Sequence, residues 1–267
     1  MTINNKDELL AALKDNPLAL ASASKELRDD KEVVLAAVKR YGDNLKYASS
    51  RLKNNKEFVL TAVKECGRAL CFVSKRLRDD KDVVLAAVKQ NGNALISASD
   101  RLQDDKDVVL TAVKQNGLAL SDASYRLRDD KDVILTAVKQ NGLVLRFSSE
   151  EFKNDKDVVL TAVKQNGLAL YEASDRLRDD KDVVLAAVEN YGCALEFTSD
   201  KLKDDIDIVL AAVKENCGAL HFASDRIKNN PQLLKDTKSL DSVISNATKK
   251  AAAQKTNNKT ETKDKTI

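Results

Sequence analysis

The chain has 267 residues and a net charge of +3, from 45 Lys and Arg against 42 Asp and Glu. Residues 231–267 hold a net +4 and everything before them a net −1, so no phosphate-neutralising excess is present there and nucleic-acid binding is not expected of residues 6–230. The longest apolar runs, such as residues 83–88, are too short to span a membrane, and MTINNKDELL lacks a signal-peptide pattern.

The segment KDVVLTAVKQNGLAL at residues 106–120 recurs unchanged at 156–170. Divided every 25 residues from Lys6, the chain yields nine gapless units, starting at Lys6, Lys31, Lys56, Lys81, Lys106, Lys131, Lys156, Lys181 and Ile206 and ending at Asn230. A unit this short cannot bury its own apolar face and must stack on its neighbours. Cys66, Cys71, Cys193 and Cys217 occupy three different positions of the unit. That is not how a disulfide framework is laid out, so free thiols in a reducing, cytoplasmic compartment are expected.

The first unit differs from the rest, with Glu8 where others carry a hydrophobe and Pro17 where others carry Gly, as a terminal cap would. Residues 106–130 typify the units that follow. Asp104 and Asp105 supply an N-cap signal before KDVVLTAVKQN, and Gly117 is placed as a left-handed C-cap, bounding a first helix of about eleven residues. Leu120, Ala123, Ser124 and Leu127 then recur at i, i+3, i+4 and i+7, which predicts a second helix. A strand reading of VVLTAV with an Asn116-Gly117 turn fails on the missing period-two alternation and the acidic cap. The expected fold is all-α: an α-solenoid of nine tandem helical hairpins over 6–230. After Asn230 and Pro231, the residues Leu233, Leu234, Leu240, Val243, Ile244 and Ala247 predict a capping helix over 231–252. Residues 253–267, polar and rich in Lys and Thr, are expected to be disordered.

The unit DKDVVLAAVKQNGLAL with its following ALxxAS segment resembles the repeats of the family catalogued as domain of unknown function 4116. The resemblance spans residues 6–230 and brings no catalytic residues with it. It implies a bacterial, protist or viral setting that includes host-associated microbes. An effector delivered into a host cell without a signal peptide, acting on a host protein, is therefore the alternative to a cytoplasmic scaffold. Cys217 and Ile206 depart from the motif's Gly and Lys.

Comparing the units separates framework from surface. Leu recurs at Leu10 to Leu210 and at Leu20 to Leu220 in steps of 25, positions expected in the core. Ser recurs from Ser24 to Ser224 beside a single histidine, His221. Nine serine nucleophiles would need nine bases, so these serines are structural and no enzyme is expected. The variable positions, Leu118, Ser121, Asp122 and Tyr125 in the typical unit, form a stripe on the second helix. Across units it holds seven of the eleven aromatics, among them Tyr47, Phe72, Tyr125, Phe147, Tyr171, Phe197 and Phe222. Such rings suit interface anchors; they suit lateral packing between stacked units as well. In units one to three the stripe is net +3, and in units four to nine net −7, with Glu172, Glu196, Asp200 and Asp225 among its acids. That predicts a protein or peptide partner with a basic segment, without a cofactor. The DDKD segments lack the alternating ligands and glycine of a calcium loop, and Cys217 with His221 falls short of four convergent zinc ligands.

Overall fold

Repeat after repeat, an aspartate or asparagine turns its side-chain oxygen onto the backbone N–H groups that follow it, and the rest of the unit is built from that start. The computed structural model describes residues 2–230; the capping helix expected over 231–252 and the tail over 253–267 lie outside the described residues. In the fifth repeat Asp105 Oδ1 accepts from the N–H groups of Asp107 (3.1 Å) and Val108 (3.2 Å) and opens the long helix Lys106–Gln115. Two donors that a helix N-terminus leaves unpaired are thereby satisfied. Val108, Val109, Ala112 and Val113 are buried. The helix stops at Asn116, which is extended. A 3-10 segment Gly117–Asp122 follows, then a one-turn helix Tyr125–Arg128 capped by Ser124.

The same three elements recur in repeats two to nine, while the first ends in a 3-10 turn, Leu27–Asp29, in place of the short α-helix. The ninth builds them as Ile206–Glu215, Cys217–Phe222 and Asp225–Lys228 despite its two departures from the motif. The described residues form two bodies, one up to residue 161 and one from 162 to 230, divided inside the helix Lys156–Gln165. In the first, Lys81–Gln90 packs between Lys56–Glu65 and Lys106–Gln115, and the 3-10 segments Gly67–Phe72, Gly92–Ser97 and Gly117–Asp122 stack in order. In the second, Lys181–Asn190 packs on Ile206–Glu215 and Gly192–Phe197 lies between Gly167–Glu172 and Cys217–Phe222. Tandem packing of 25-residue helical units is a helical solenoid. Among the described residues the only β feature is one bridge, Ile3 with Ala23. Its bond from Ser24 N–H to Ile3 O (2.9 Å) stands where later repeats bond to the repeat before them.

Three expectations are corrected. The second element is not one helix: Ala123 and Ser124 are extended, because the Ala123 N–H is taken by Leu120 O (3.2 Å) and the Ser124 hydroxyl captures the Leu127 N–H (3.3 Å). Leu120, Ala123 and Leu127 still reach the core, which gives the sequence its helical period. The repeated glycine is not a left-handed cap, since no described glycine has positive φ. A Cβ on Gly117 would sit 2.6 Å from Ala137 O of the next repeat, so glycine is required by close approach of two backbones. Finally, the leucines at Leu10 to Leu210 are half-buried, while those from Leu20 to Leu195 are buried.

Polar groups join one repeat to the next. Lys81 Nζ lies 2.9 Å from Asp105 and 3.0 Å from Asp107. Asp104 accepts from Ser124 Oγ and from Arg126 Nε (3.0 Å), while Arg126 Nη2 donates to Asp104 O (2.7 Å). Ser124 N–H donates to Gln103 O (2.9 Å). The Ser124 hydroxyl and Arg126 guanidinium hold the Asp104 carboxyl below its ordinary value. Partial burial pushes Asp105 up, but the Lys81 ammonium and the Val108 N–H outweigh it and the net shift is downward.

Two outcomes follow from this packing. Gly117→Ala forces apart two repeats and costs about 1–3 kcal/mol in urea unfolding; no measurable cost would contradict the close-approach account. Carboxyls held low in the folded state, Asp104 and Asp105 among them, bind fewer protons folded than unfolded. These carboxyls therefore leave stability flat between pH about 5 and 8 and make it fall as acid takes the pH through about 4 and below. A urea midpoint unchanged between pH about 5 and 2.5 would contradict it.

Candidate functional site

The break between the 3-10 segment and the short helix divides the predicted stripe into two environments. Tyr47, Phe72, Phe147, Phe197 and Phe222 stand at the end of their 3-10 segments and are half-buried. Glu172 occupies the same place and is also half-buried. Tyr171 and Glu196, one residue earlier, and Tyr125, Asp200 and Asp225, at the first position of the short helix, are exposed. A continuous helix would have put all of them on one face.

In the first body, the Lys46 ammonium lies 4.8 Å from the Tyr47 ring centre and the Arg146 guanidinium 4.5 Å from that of Phe147. The Tyr125 ring is 85% exposed with the Arg128 guanidinium 4.1 Å over it. Cations over ring faces are attracted by the ring quadrupole and fix ring orientation. Ile96, 66% exposed, adds an apolar side chain at the position equivalent to Tyr171, beside a cleft of about 270 Å³ that Arg68, Cys71 and Asn93 also line.

In the second body, Tyr171 is 61% exposed and packs edge-to-face on Phe197 of the next repeat at 5.3 Å. Phe222 meets its neighbour His221 edge-on at 5.5 Å. Asp200 and Asp225 hold only loose contacts with Lys203 (3.9 Å) and Lys228 (3.7 Å) on their own short helices. The rings therefore differ by position. Half-buried rings such as Phe197 pack between repeats, and Tyr125 and Tyr171 present most of their surface to solvent.

Cys66, Cys71 and Cys193 are free thiols, and Cys71 and Cys217 are exposed. Among the described residues no group of three or more His, Cys, Asp or Glu is placed to hold a metal ion, and no helix is long and apolar enough to cross a membrane. The recurring serine and aspartate are engaged with each other between repeats, as Ser99 with Asp79 and Ser199 with Asp179 (2.6 Å).

Two features escape a reading of the stripe alone. The half-buried leucines of the long helices line shallow grooves between neighbours, one of about 370 Å³ at Leu85, Ala86, Lys64 and Lys89, another of about 560 Å³ at Leu210, Ala211, Lys214 and Glu189. An invariant Leu looks like core until its exposure is known. Glu151 stands where repeats two to five and seven to nine carry Arg or Lys, and unit-by-unit comparison of the framework positions would have exposed it.

The family model described as a domain of unknown function (DUF4116) matches the chain in overlapping segments, residues 5–53, 30–78, 55–103 and onward in the same step to 205–236. The chain belongs to the DUF4116 family. The matches from 5–53 to 180–228 each cover close to two units, and each match begins 25 residues after the last. No curated protein and no solved structure matches this DUF4116 chain.

The split between packed and presented rings has a measurable consequence. Phe197→Ala lowers stability by about 2 kcal/mol, and Tyr125→Ala by less than about 0.5 kcal/mol, in chemical unfolding. Equal costs would mean that the two rings do not differ in environment.

Proposed function

We propose that this DUF4116 protein is a non-enzymatic scaffold that binds a partner protein or peptide through the exposed variable positions of its 3-10 segments and short helices. The observation that carries this reading is the exposure of Tyr125 and Tyr171 on a framework most of whose repeated side chains are committed to packing or to inter-repeat bonds. Large aromatics cost little conformational entropy when they bind and dominate interface energetics. In the second body, which holds Tyr171, the variable positions Glu196, Asp200 and Asp225 are acidic and exposed, which favours a partner segment carrying basic residues. The non-catalytic part of the proposal is supported by the serines: Ser99, Ser124 and Ser224 each cap a short helix while donating to an aspartate of the preceding repeat. Those hydroxyls and carboxylates are occupied in holding the fold.

The test is a comparative capture of partners with the intact chain and a Tyr125→Ala, Tyr171→Ala variant, both verified by circular dichroism and by equal urea midpoints. A partner held by the intact chain, competed by excess untagged chain and weakened at least about tenfold by the variant supports the proposal. Partners captured equally by both proteins would remove the aromatic ridge as the binding surface.

A further inference from the structure

Comparing the repeat junctions with one another reveals one that is open. Asp29, Asn54, Asp79, Asp104 and Asp204 each accept a serine hydroxyl and an arginine Nε from the following repeat, through Arg51, Arg76, Arg101, Arg126 and Arg226. Asp179 does so with Ser199 and Lys201. In the arginine cases Nη2 also reaches the acceptor residue's backbone carbonyl, at 2.7–3.0 Å.

Asp129 is the exception in the first body. The following repeat offers Glu151 in place of Arg, and the bonds to the Asp129 carboxylate and carbonyl are missing. Ser149 Oγ is buried without a hydrogen-bond partner and makes no cap bond. The backbone bond that Ser99 and Ser124 N–H make to the preceding repeat, to Arg78 O and Gln103 O, has no counterpart from Ser149 to Arg128. Phe152 occupies the core position held by Leu102 and Leu127 in earlier repeats, a larger side chain at the same interface. The gap is a cleft of about 330 Å³ lined by Tyr125, Arg128, Asp129, Phe147, Ser148 and Ser149. Arg128 Nε, on its wall, is likewise buried without a partner.

We propose that this open junction is a receptor for an arginine side chain of a bound peptide, which takes in trans the place that Arg51, Arg76, Arg101, Arg126 and Arg226 take in cis. The inference rests on the protein-binding reading above and names the residue the partner must supply. Five junctions of this same chain show that an Asp or Asn at this position receives a guanidinium in bidentate fashion, through side chain and carbonyl together. At the sixth repeat Glu151 adds a second carboxylate in the place of the competing cation. Glu150 is engaged with Lys153 (2.8 Å), Arg128 and Arg146 lie over the Tyr125 and Phe147 rings, and Lys131, paired with Asp155 at 2.6 Å, is the cation within electrostatic reach of Glu151. Arg78 Nε is buried without a partner beside the closed Asp79 junction too, so the group that sets this junction apart is the Ser149 hydroxyl, unpaired here while its counterpart Ser99 bonds to Asp79, and it gains a partner from the occupant. Residues 231–267 contain no arginine and do not supply the occupant.

The probe is the peptide acetyl-Gly-Gly-Arg-Gly-Gly-amide, with its citrulline and lysine counterparts, titrated into the full-length isotope-labelled chain and followed by amide chemical shifts. Saturable shifts at Arg128, Asp129 and Ser149, at least about tenfold weaker with the uncharged citrulline peptide, are expected. Glu151→Arg closes the junction in cis and abolishes them; Asp129→Asn, which leaves the cap and core untouched, weakens them. Absence of saturable shifts at those amides, equal response to citrulline, or unchanged binding to a folded Glu151→Arg chain would overturn the proposal. Peptide shifts at the cleft together with undiminished partner capture by the Tyr125→Ala, Tyr171→Ala variant would leave the cleft standing and discard the ridge. Loss of capture by that variant without peptide shifts would discard the cleft alone.

Discussion

The bond from a repeat's Ser and Arg to the aspartate of the repeat before it, made at the Asp29, Asp79, Asp104 and Asp204 junctions and missing at Asp129, is the constraint on which the ordinary unit depends. A 25-residue unit with one long helix has no independent core, so its geometry is set by how it docks. Ser124 illustrates the economy of that docking. Its hydroxyl donates to Asp104 and accepts from Leu127 N–H, while its own N–H reaches Gln103 O. One residue thus starts the short helix and registers it against the previous repeat. The exposed ion pairs in this network are individually weak, and their value lies in specifying register, with apolar burial of Val108, Val109, Ala112, Val113, Leu120 and Leu127 supplying the stabilisation.

The same docking explains which residues vary. Glycine is retained at Gly67, Gly92 and Gly117 because a Cβ would strike the next repeat's carbonyl, and its N–H, at Gly67 and Gly92, is received by Gln90 and Gln115 of that repeat. What escapes these demands is the last turn of the 3-10 segment and the first residue of the short helix. Sequence is free to differ there, and the chain has used that freedom for Tyr125, Ile96 and Tyr171.

Much of this was legible in the residues. The period, the Asp N-cap, the all-α class and the division into framework and variable positions follow from the repeats compared with one another. The break at Ala123 and Ser124 was not legible, because Leu120, Ala123 and Leu127 keep an i, i+3, i+7 spacing whether the backbone between them is helical or extended. The role of glycine was misread for a related reason: Asn-Gly after a helix ordinarily signals a left-handed cap, and only the neighbour's carbonyl shows that space, not φ, is what it provides. The stripe carrying Tyr47, Phe72 and Phe222 was visible as a pattern, yet a pattern reports which side a ring is on and not how deeply it is set.

The central claim is that the Ser-to-preceding-repeat connection is made at ordinary junctions and missing at the one where Glu151 replaces Arg. Amide hydrogen exchange at residue resolution tests it directly by comparing Ser124 with Ser149. The account predicts a protected Ser124 N–H, bonded to Gln103 O, and a Ser149 N–H that exchanges much faster under the same conditions. Equal protection of the two amides would contradict it.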